Sequence, residues 1–373
     1  MQYNKIKLKE IAEINMGQSP SGSSYNNSKK GVAFLQGNRT FGFLYPSVDT
    51  WTTEPKKIGK RGSILMSVRA PVGDLNIANE DICIGRGLCS IEMKNGNNEY
   101  LYYLLKNSIN EIKLKSTGTV FDSVNKKELE DIEIIDFSKE YQDRISKVLF
   151  NIDRKIEINT HTNDNLQKFI INLYDLKFNQ KEKNGKLKDI VKKVNNTVNV
   201  KNKNVNLKYF PVDVLPSNYL ITKDGKENNE AQSSLIEFNK YDILIGAMRV
   251  YFHRVCLAAE DGITRTTTFV LRAKKREYLY YALIAMNKNL FIDYASYTSK
   301  GSTMPYAVWE NACEDYEIYI PSIDEIENFN QIAESILEKM IENEKENREL
   351  EQLRNILLPK LMNGEIDLDK IEI

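Results

Sequence analysis

The sequence predicts an α+β protein with two tandem-duplicated globular domains, each followed by a long helix, and the two helices pair as an antiparallel coiled coil. Two observations support this fold class. Apolar residues recur at alternating steps of four and three in 141–178 and again in 324–362, a period typical of helices that pair with another helix. In addition, short segments from the first half of the chain recur in the same order in the second half.

The two helical patterns match in their polar residues as well. A shift of 184 positions places Asn159 on Asn343 and Asn163 on Asn347. Asn inside an apolar helix interface lowers stability and is best explained as a device that fixes register. We therefore predict that the helices are partners within one chain and that these four Asn set the coil register. The alternative is two separate amphipathic helices, each lying on its own domain.

The globular parts repeat too. Glu99–Tyr103 and Glu277–Tyr281 have identical letters, and the strand-like run Gly62–Val68 is matched by Tyr241–Ala247. The run Ile82–Ile91 predicts a further strand pair. The predicted organisation is a first domain 1–138, a spacer helix 139–178, a linker 179–186, a second domain 187–323, a second spacer helix 324–362 and a tail 363–373.

Composition limits the classes of protein. Hydrophobic residues make up 41% of the chain and charged residues 28%, as in ordinary globular proteins. The sequence contains neither an apolar run of membrane-spanning length nor a signal-peptide core at its start, so we expect a cytoplasmic protein. The four cysteines lack CxxC spacing and nearby histidines, which predicts buried apolar residues and no metal site.

No catalytic motif is recognisable. The sequence contains no phosphate-binding GxxxxGK[ST] loop, no GxGxxG opening a helix and no (D/N)PP(Y/F/W) segment of an adenine methyltransferase. The chain has only two histidines, His161 and His253, and lacks a Ser or Cys nucleophile motif. We therefore expect a protein that is not an enzyme.

Charge is unevenly distributed although the net charge is zero. Residues 324–373 contain 6 Lys and Arg against 14 Asp and Glu, so the remainder contains 46 against 38. A weakly positive body can bind DNA, whereas an acidic helix favours solvent or a protein partner. Charge therefore permits DNA binding without demonstrating it.

Three segments resemble the specificity (S) subunits of type I restriction–modification systems. They are the opening Ile6–Gly17, the segment Gly118–Ile134 ahead of the first helix, and the C-terminal run Leu353–Ile366. The resemblance covers the whole chain, and its order of domain, helix, domain, helix agrees with the duplication. The second domain departs from the pattern at Gly301–Trp309, which replaces a simpler loop in the first.

The resemblance implies a non-catalytic subunit that selects a bipartite double-stranded DNA target. Each domain would recognise one half-site, and two modification (methyltransferase) subunits would dock around the helices and methylate adenine. S-adenosylmethionine would be bound by those partners. ATP and Mg would be used only where an ATP-dependent restriction subunit also joins. A coil of about 39 residues per helix would span about 58 Å, or about 17 base pairs, and so set the gap between half-sites.

Candidate DNA-binding residues are Lys and Arg beside glycine, proline or small residues, a context that predicts exposed turns. Phosphates bind Lys and Arg, and base edges are recognised by Arg, Lys, Asn or Gln. The candidates are Arg39, Lys60, Arg69, Arg86 and Lys115 in the first domain and Lys223, Arg249, Arg254, Arg265 and Lys300 in the second. For each residue the alternative is a solvated surface charge. For the whole chain the alternatives are a coiled-coil adaptor that binds proteins and an enzyme with an unrecognised site.

Overall fold

The structure, a computed structural model, describes residues 4–115, 123–198, 206–231 and 234–366. The loop predicted around 117–121 and most of the predicted tail lie outside these residues. The chain divides into two compact units, unit 1 (1–158 with 349–373) and unit 2 (159–348). Each unit therefore combines one globular domain with part of both long helices, whereas the sequence predicted domains and helices as separate segments.

Unit 1 is built from short strands and helices in an α+β arrangement. Its elements are β1 Lys5–Lys7, α1 Leu8–Ile11, β2 Ala12–Met16, β3 Tyr25–Asn26, β4 Val32–Leu35, β5 Trp51–Thr52, β6 Ile58–Gly59, β7 Ile64–Ser67, β8 Leu75–Ile77, β9 Ile82–Ile84, β10 Leu88–Met93, α2 Asn98–Asn107, α3 Ile109–Lys115, α4 Lys126–Glu130 and β11 Glu133–Ile135. The first long helix, α5, follows as Lys139–Phe178.

Three sheets organise unit 1. Their strand orders are β1-β11, β2-β10-β7-β8 and β3-β5-β4-β9-β6. The run Ile82–Ile91 does contain two strands, but β9 and β10 lie in different sheets and do not pair with each other. The interpretation as a strand pair is therefore wrong, because the turn at Gly85–Gly87 carries the chain from one sheet to the next.

Unit 2 repeats the plan. Its elements are β12 Gly185–Lys186, α6 Leu187–Ile190, β13 Val191–Lys193, β14 Thr197–Val198, β15 Lys208–Tyr209, β16 Leu235–Phe238, β17 Ile243–Gly246, β18 Val255–Leu257, β19 Gly262–Arg265, β20 Thr268–Ala273, α7 Leu279–Asn287, α8 Asn289–Tyr297, β21 Glu317–Ile318 and the second long helix α9, Ile323–Met362. The sheets are β12-β21, β13-β20-β17-β18 and β14-β16-β19-β15.

Equivalent hydrogen bonds support the predicted duplication. The short helix α1 is joined to the end of the domain by the bond from Leu8 N to Ile132 O (2.9 Å), and α6 by the bond from Leu187 N to Tyr316 O (3.0 Å). The amide of Arg61 donates to Asp81 Oδ1 (2.9 Å), and that of Lys240 donates to Asp261 Oδ1 (2.7 Å). The duplication is therefore visible in the backbone hydrogen bonds as well as in the sequence.

The two long helices pack antiparallel within each unit. In unit 1, Ile145 and Leu149 of α5 share a buried core with Leu358 and Leu361 of α9. In unit 2, Ile170 belongs to a core that contains Phe329, Ala333 and Met340 of α9. Early residues of α5 thus meet late residues of α9, and late residues meet early ones, as the predicted antiparallel coiled coil requires.

All four cysteines are free and buried, in agreement with their predicted role as apolar residues. No helix in the described ranges combines the length and the apolar character that crossing a membrane would require.

Candidate DNA interface

In unit 1 several strand ends meet along one side of the domain. The hydrogen bond from Gly85 N to Leu35 O (2.8 Å) joins the ends of β9 and β4. The bond from Val68 N to Gly87 O (2.9 Å) joins the end of β7 to the turn that enters β10. We call this side the unit 1 edge; it comprises residues 17–19, 36–39, 68–74 and 85–87. Because strands end here, the chain leaves the sheets and its turns project polar side chains outward.

Arg86 and Gln36 lie side by side at the unit 1 edge. The hydroxyl of Ser19 donates to Gln36 Oε1 (2.9 Å) and accepts the backbone amide of Arg86 (3.2 Å). The side chains of all three residues are at least partly exposed. An amide beside a guanidinium is the combination that contacts adenine and guanine edges. Gln36 and Ser19 were missed from the sequence, although each stands in a glycine-rich turn.

Arg39 lies in a short 3₁₀ turn at the same edge. Its Nη2 is 2.6 Å from Asp49 Oδ2, and its side chain is 74% exposed. The hydrogen bond from Arg39 holds the pKa of the Asp49 carboxyl below its usual range. An exposed pair of this kind contributes little to stability, so the guanidinium can exchange Asp49 for a phosphate. The side-chain amide of the neighbouring Asn38 donates a hydrogen bond to Asp74 Oδ2 (2.5 Å).

Arg69 is exposed and lies two residues after the end of β7. Its backbone forms a β-bridge with Ser123, which brings the start of the segment 123–135 to this edge. Lys115 ends α3, and its side chain lies outside the described part of the chain. Arg39, Arg69 and Arg86 are therefore the three candidates that the structure brings together.

Lys60 is exposed but lies elsewhere. Its carbonyl accepts hydrogen bonds from the Ser63 amide (2.9 Å) and hydroxyl (2.7 Å) just before β7 begins. It therefore stands at the opposite end of that strand from Arg69. The local context of a turn predicted its exposure but could not predict at which end of the sheet it lies.

Unit 2 has an equivalent edge. The bond from Ala247 N to Thr267 O (2.9 Å) corresponds to that from Val68 N to Gly87 O in unit 1. We call this side the unit 2 edge; it comprises residues 193–194, 247–254, 265–267, 300 and 304–310. Arg265 ends β19 here and is exposed. Lys300 is also exposed, and its backbone is bonded in both directions to Tyr306 (2.9 Å each).

Arg249 and Arg254 differ from expectation because both are half-buried and not fully exposed. The amide of Arg249 donates to Pro305 O (2.8 Å), and its Nε has no hydrogen-bond partner among the described residues. The guanidinium of Arg254 donates to the carbonyl of Val212 and lies over the ring of Phe252, 5.5 Å from its centroid. A segment distant in sequence thus covers Arg254, which a local pattern cannot anticipate.

Lys223 belongs to a different surface. Its Nζ lies 4.8 Å from the centre of the Tyr219 ring and 4.0 Å from Glu344 Oε1 on α9. The structure therefore places this candidate against the long helix and not with Arg249, Arg265 and Lys300.

A cleft of about 390 Å³ opens at the unit 2 edge. Apolar and aromatic side chains form most of its wall, and Lys193 is paired with Glu310 at 2.8 Å beside it. Its lining consists of Lys193, Ala247, Met248, Thr266, Thr267, Phe269, Met304, Tyr306, Ala307, Val308, Trp309 and Glu310. Much of this wall is the segment Gly301–Trp309, the stretch that departs from the first domain in sequence. That departure was the only sequence signal for the cleft.

The four coil Asn are buried and bonded to one another within unit 2. Asn159 Nδ2 donates to Asn347 Oδ1 (2.9 Å), and Asn343 Nδ2 donates to Asn163 Oδ1 (2.8 Å). Tyr219 joins this layer, since its hydroxyl accepts from Asn163 Nδ2 (3.0 Å). A shift of either helix by one residue would break both Asn pairs, which supports the predicted register role.

Comparisons with known proteins agree with this arrangement. The family model of the type I restriction modification DNA specificity domain matches residues 2–168. A putative type I restriction enzyme MjaX specificity subunit from Methanocaldococcus jannaschii is 42% identical over 158 residues, which are 42% of this chain and 37% of the relative. The type I restriction enzyme MjaIX specificity subunit of the same organism is 26% identical over 412 residues, which cover 98% of this chain and 94% of the relative.

A solved structure extends the likeness to the whole fold. The type I restriction–modification S subunit from M. genitalium has a TM-score of 0.64 and covers 97% of this chain and 96% of its own, with 17% identity. At that identity the match concerns the fold alone. Residues 2–168 thus match the type I restriction modification DNA specificity domain, and almost the whole chain is similar to a type I restriction enzyme specificity subunit.

Proposed function

We propose that each unit recognises one half of a bipartite double-stranded DNA target through its strand-end edge. The observation that carries this proposal is the cluster of Arg39, Arg69 and Arg86 with Gln36 at the unit 1 edge. Backbone bonds of the same pattern form the unit 2 edge, where Arg265 and Lys300 are exposed. Arginines supply phosphate affinity, and paired arginine and amide groups supply base specificity.

The edges differ in chemistry, and this difference supports two different half-sites. The unit 1 edge is polar, with amide and hydroxyl groups beside its arginines. The unit 2 edge combines cations with the aromatic cleft and with exposed Tyr251 and Phe252. Since specificity arises from the particular groups that meet the base edges, two such edges would select different sequences.

The paired helices would set the gap between the half-sites and dock two modification subunits. Helix α9 lies in the acidic part of the sequence, which suits contact with protein more than with DNA. S-adenosylmethionine would be bound by those modification subunits. A restriction subunit that joins the complex would use ATP and Mg. These partners and cofactors are carried over from the resemblance to specificity subunits of type I restriction–modification systems.

Exchange of residues 1–138 for the first domain of another specificity subunit tests the proposal. The hybrid and the original chain would each be expressed with the modification subunit, and methylated adenines would be mapped across the host genome. We expect the first half-site to change and the second half-site and gap to stay. The exchange of residues 187–323 is the matched control and should change only the other half-site.

Two results would contradict the proposal. Methylation of unchanged sites by both hybrids would show that another component selects the sequence. Methylation by the purified chain alone, without a modification subunit, would instead make the chain an enzyme.

A further inference from the structure

The turn between β17 and β18 in unit 2 has an unusual backbone. Two residues that are not glycine adopt the left-handed conformation, Arg249 with φ of 50° and His253 with φ of 54°. They bracket a short 3₁₀ turn, Val250–Phe252. Bulky side chains are disfavoured in this conformation, and such strain is concentrated at functional sites.

The equivalent turn of unit 1, between β7 and β8, provides a comparison in which the left-handed position is occupied by glycine. It also has a left-handed residue two positions before the next strand, but that residue is Gly73, with φ of 96°. The unit 1 turn spans 68–74 and contains no aromatic residue, whereas the unit 2 turn spans 247–254 and contains Tyr251 and Phe252. Unit 2 therefore keeps side chains where unit 1 uses glycine.

The aromatic pair is exposed although the turn beneath it is firmly held. Tyr251 is 53% exposed and Phe252 43%, with ring centroids 5.0 Å apart. Below them, Val250 is buried, and the imidazole Nε2 of His253 is 2.7 Å from Asn287 O. The hydroxyl of Ser217 donates to Phe252 O (2.6 Å). The two aromatic rings are thus exposed to solvent on a turn that is buried and hydrogen-bonded beneath them.

The surroundings indicate DNA as the occupant. Arg249 and Arg254 adjoin the rings in sequence, and the Arg254 guanidinium lies over the Phe252 ring. Arg265 and Lys300, both exposed, belong to the same edge. Cations around a protruding apolar tip suit a polyanion whose bases can stack on the tip.

We propose that Tyr251 and Phe252 form a wedge that enters the second half-site and unstacks one base step. This inference rests on the proposed function and adds that unit 2 distorts its half-site while unit 1 does not. A pyrimidine–purine step is the preferred place, because such steps unstack most easily. Specificity would then come partly from how readily the sequence deforms.

The fluorescence of 2-aminopurine, which rises when the base is unstacked, tests the wedge. The chain in complex with its modification subunit would be added to duplexes of the mapped target with 2-aminopurine at successive positions of each half-site. The methylated adenine itself is excluded, because methyltransferases extrude that base. We expect a rise at one step of the second half-site and none in the first.

The double variant Tyr251→Ala with Phe252→Ala should lose this rise at saturating protein and bind the target about tenfold more weakly. Tyr251→Phe keeps the ring and should keep the rise. Leu290→Ala is the matched control, since Leu290 is 66% exposed on α8, the helix that packs against the same turn. Circular dichroism and melting temperature would verify that each variant is folded.

The wedge is refuted if the double variant retains the rise, or if no position outside the methylated base shows one while the complex still methylates its target. Loss of the rise in Leu290→Ala as well would also contradict it, because the signal would then report general docking of the surface. Absence of any sequence-selective binding by the intact complex would instead overturn the proposed function.

Discussion

Asp153 of α5 and Arg354 of α9 form a buried ion pair between the long helices in unit 1. The guanidinium Nη1 donates to Asp153 Oδ1, and the carboxylate is fully buried. The 184-residue shift places Asp153 on Leu337 and makes Ile170 the counterpart of Arg354, and both of these are buried in the core of unit 2. The duplicated helix pair therefore has an ionic layer in one unit and an apolar layer at the same place in the other.

Arg354→Leu should reduce the free energy of unfolding by about 3–5 kcal/mol, because it leaves the Asp153 charge buried with Lys106 Nζ at 3.9 Å as its nearest cation. Urea denaturation measures the loss. The control is the double variant Asp153→Leu with Arg354→Ile, which copies the apolar layer of unit 2. It should restore most of the lost free energy of unfolding. Recovery would be incomplete, since the hydroxyl of Tyr103 also loses its bond to Asp153 (2.7 Å). A double variant as unstable as the single one would show that the pair is not the cause.

Arg354 falls on one of the alternating steps of four and three in 324–362, so the sequence predicts that it faces the partner helix but not what it meets there. The period of 3.5 residues indicates which residues face the partner helix, and the ranges over which it runs, 141–178 and 324–362, lie close to the observed helices Lys139–Phe178 and Ile323–Met362. Asp153 lies one position from that apolar pattern, beside Ile152. Which charged residue turns inward depends on partners from distant segments, here Tyr103 on α2, and such partners leave no local periodic signal.

Arg69→Ala should weaken binding of the complex to its cognate DNA by about 1–3 kcal/mol if the lost contact is to a base edge. Binding would be measured by fluorescence anisotropy on cognate and random duplexes at one salt concentration. Lys60→Ala is the matched control, because Lys60 is exposed at the opposite end of β7 and should change neither affinity. An equal loss on both duplexes for Arg69→Ala would instead mark a phosphate contact, and a larger loss for Lys60→Ala would refute the assignment of the unit 1 edge.

Arg249→Ala tests DNA contact less cleanly than Arg69→Ala, although the sequence predicted both arginines to be exposed. Arg249 is half-buried and adopts a left-handed backbone, so the substitution also changes strain in the turn.

Exposure was predicted from small neighbours in the sequence, and this held for Arg39, Arg69, Arg86, Arg265 and Lys300. It failed where a segment distant in sequence covers the turn, as Val212 does for Arg254. Local composition can suggest a turn, but only the fold decides what lies over it.

Insertion of one heptad into both long helices should lengthen the gap between half-sites by about 3 base pairs, since seven residues add about 10 Å to a helix. Mapping of methylated adenines in a host that expresses the variant with the modification subunit gives the gap directly. A heptad inserted into α5 alone is the control and should destabilise the helix pair without defining a new gap. An unchanged gap in a folded, active double insertion would show that the helices do not set the spacing.

The free energy of unfolding should fall as the pH rises above about 9. Burial raises the pKa of the Cys89 thiol to about 12 and that of Cys313 to about 11, from an ordinary value of 9.0. At pH values between the ordinary thiol pKa and the raised pKa of the folded state, the unfolded chain releases protons that the folded chain retains. Higher pH therefore favours unfolding. Urea denaturation at pH 7.5, 9 and 10 measures the trend. Cys89→Ala with Cys313→Ala should reduce the slope without abolishing it, because burial also raises the pKa of the Cys256 thiol, and an unchanged slope in that variant would assign the effect to other groups.

The same burial predicts the chemical behaviour of the thiols. A thiol-reactive dye should modify none of the four cysteines at pH 8 in the folded protein and all four in urea, because burial keeps the dye from reaching the thiols. Rapid modification before unfolding would contradict the observed burial.

The paired Asn of the coil have an evolutionary consequence. Asn159 meets Asn347 and Asn163 meets Asn343, while 343 and 347 are the duplicates of 159 and 163. Each bond is thus the image of the other when the halves of the polypeptide are exchanged. An ancestor of half the length would find in a second copy of itself every polar group that these pairs require. Gene fusion would then inherit the interface unchanged, and each half could diverge in the sequence it recognises.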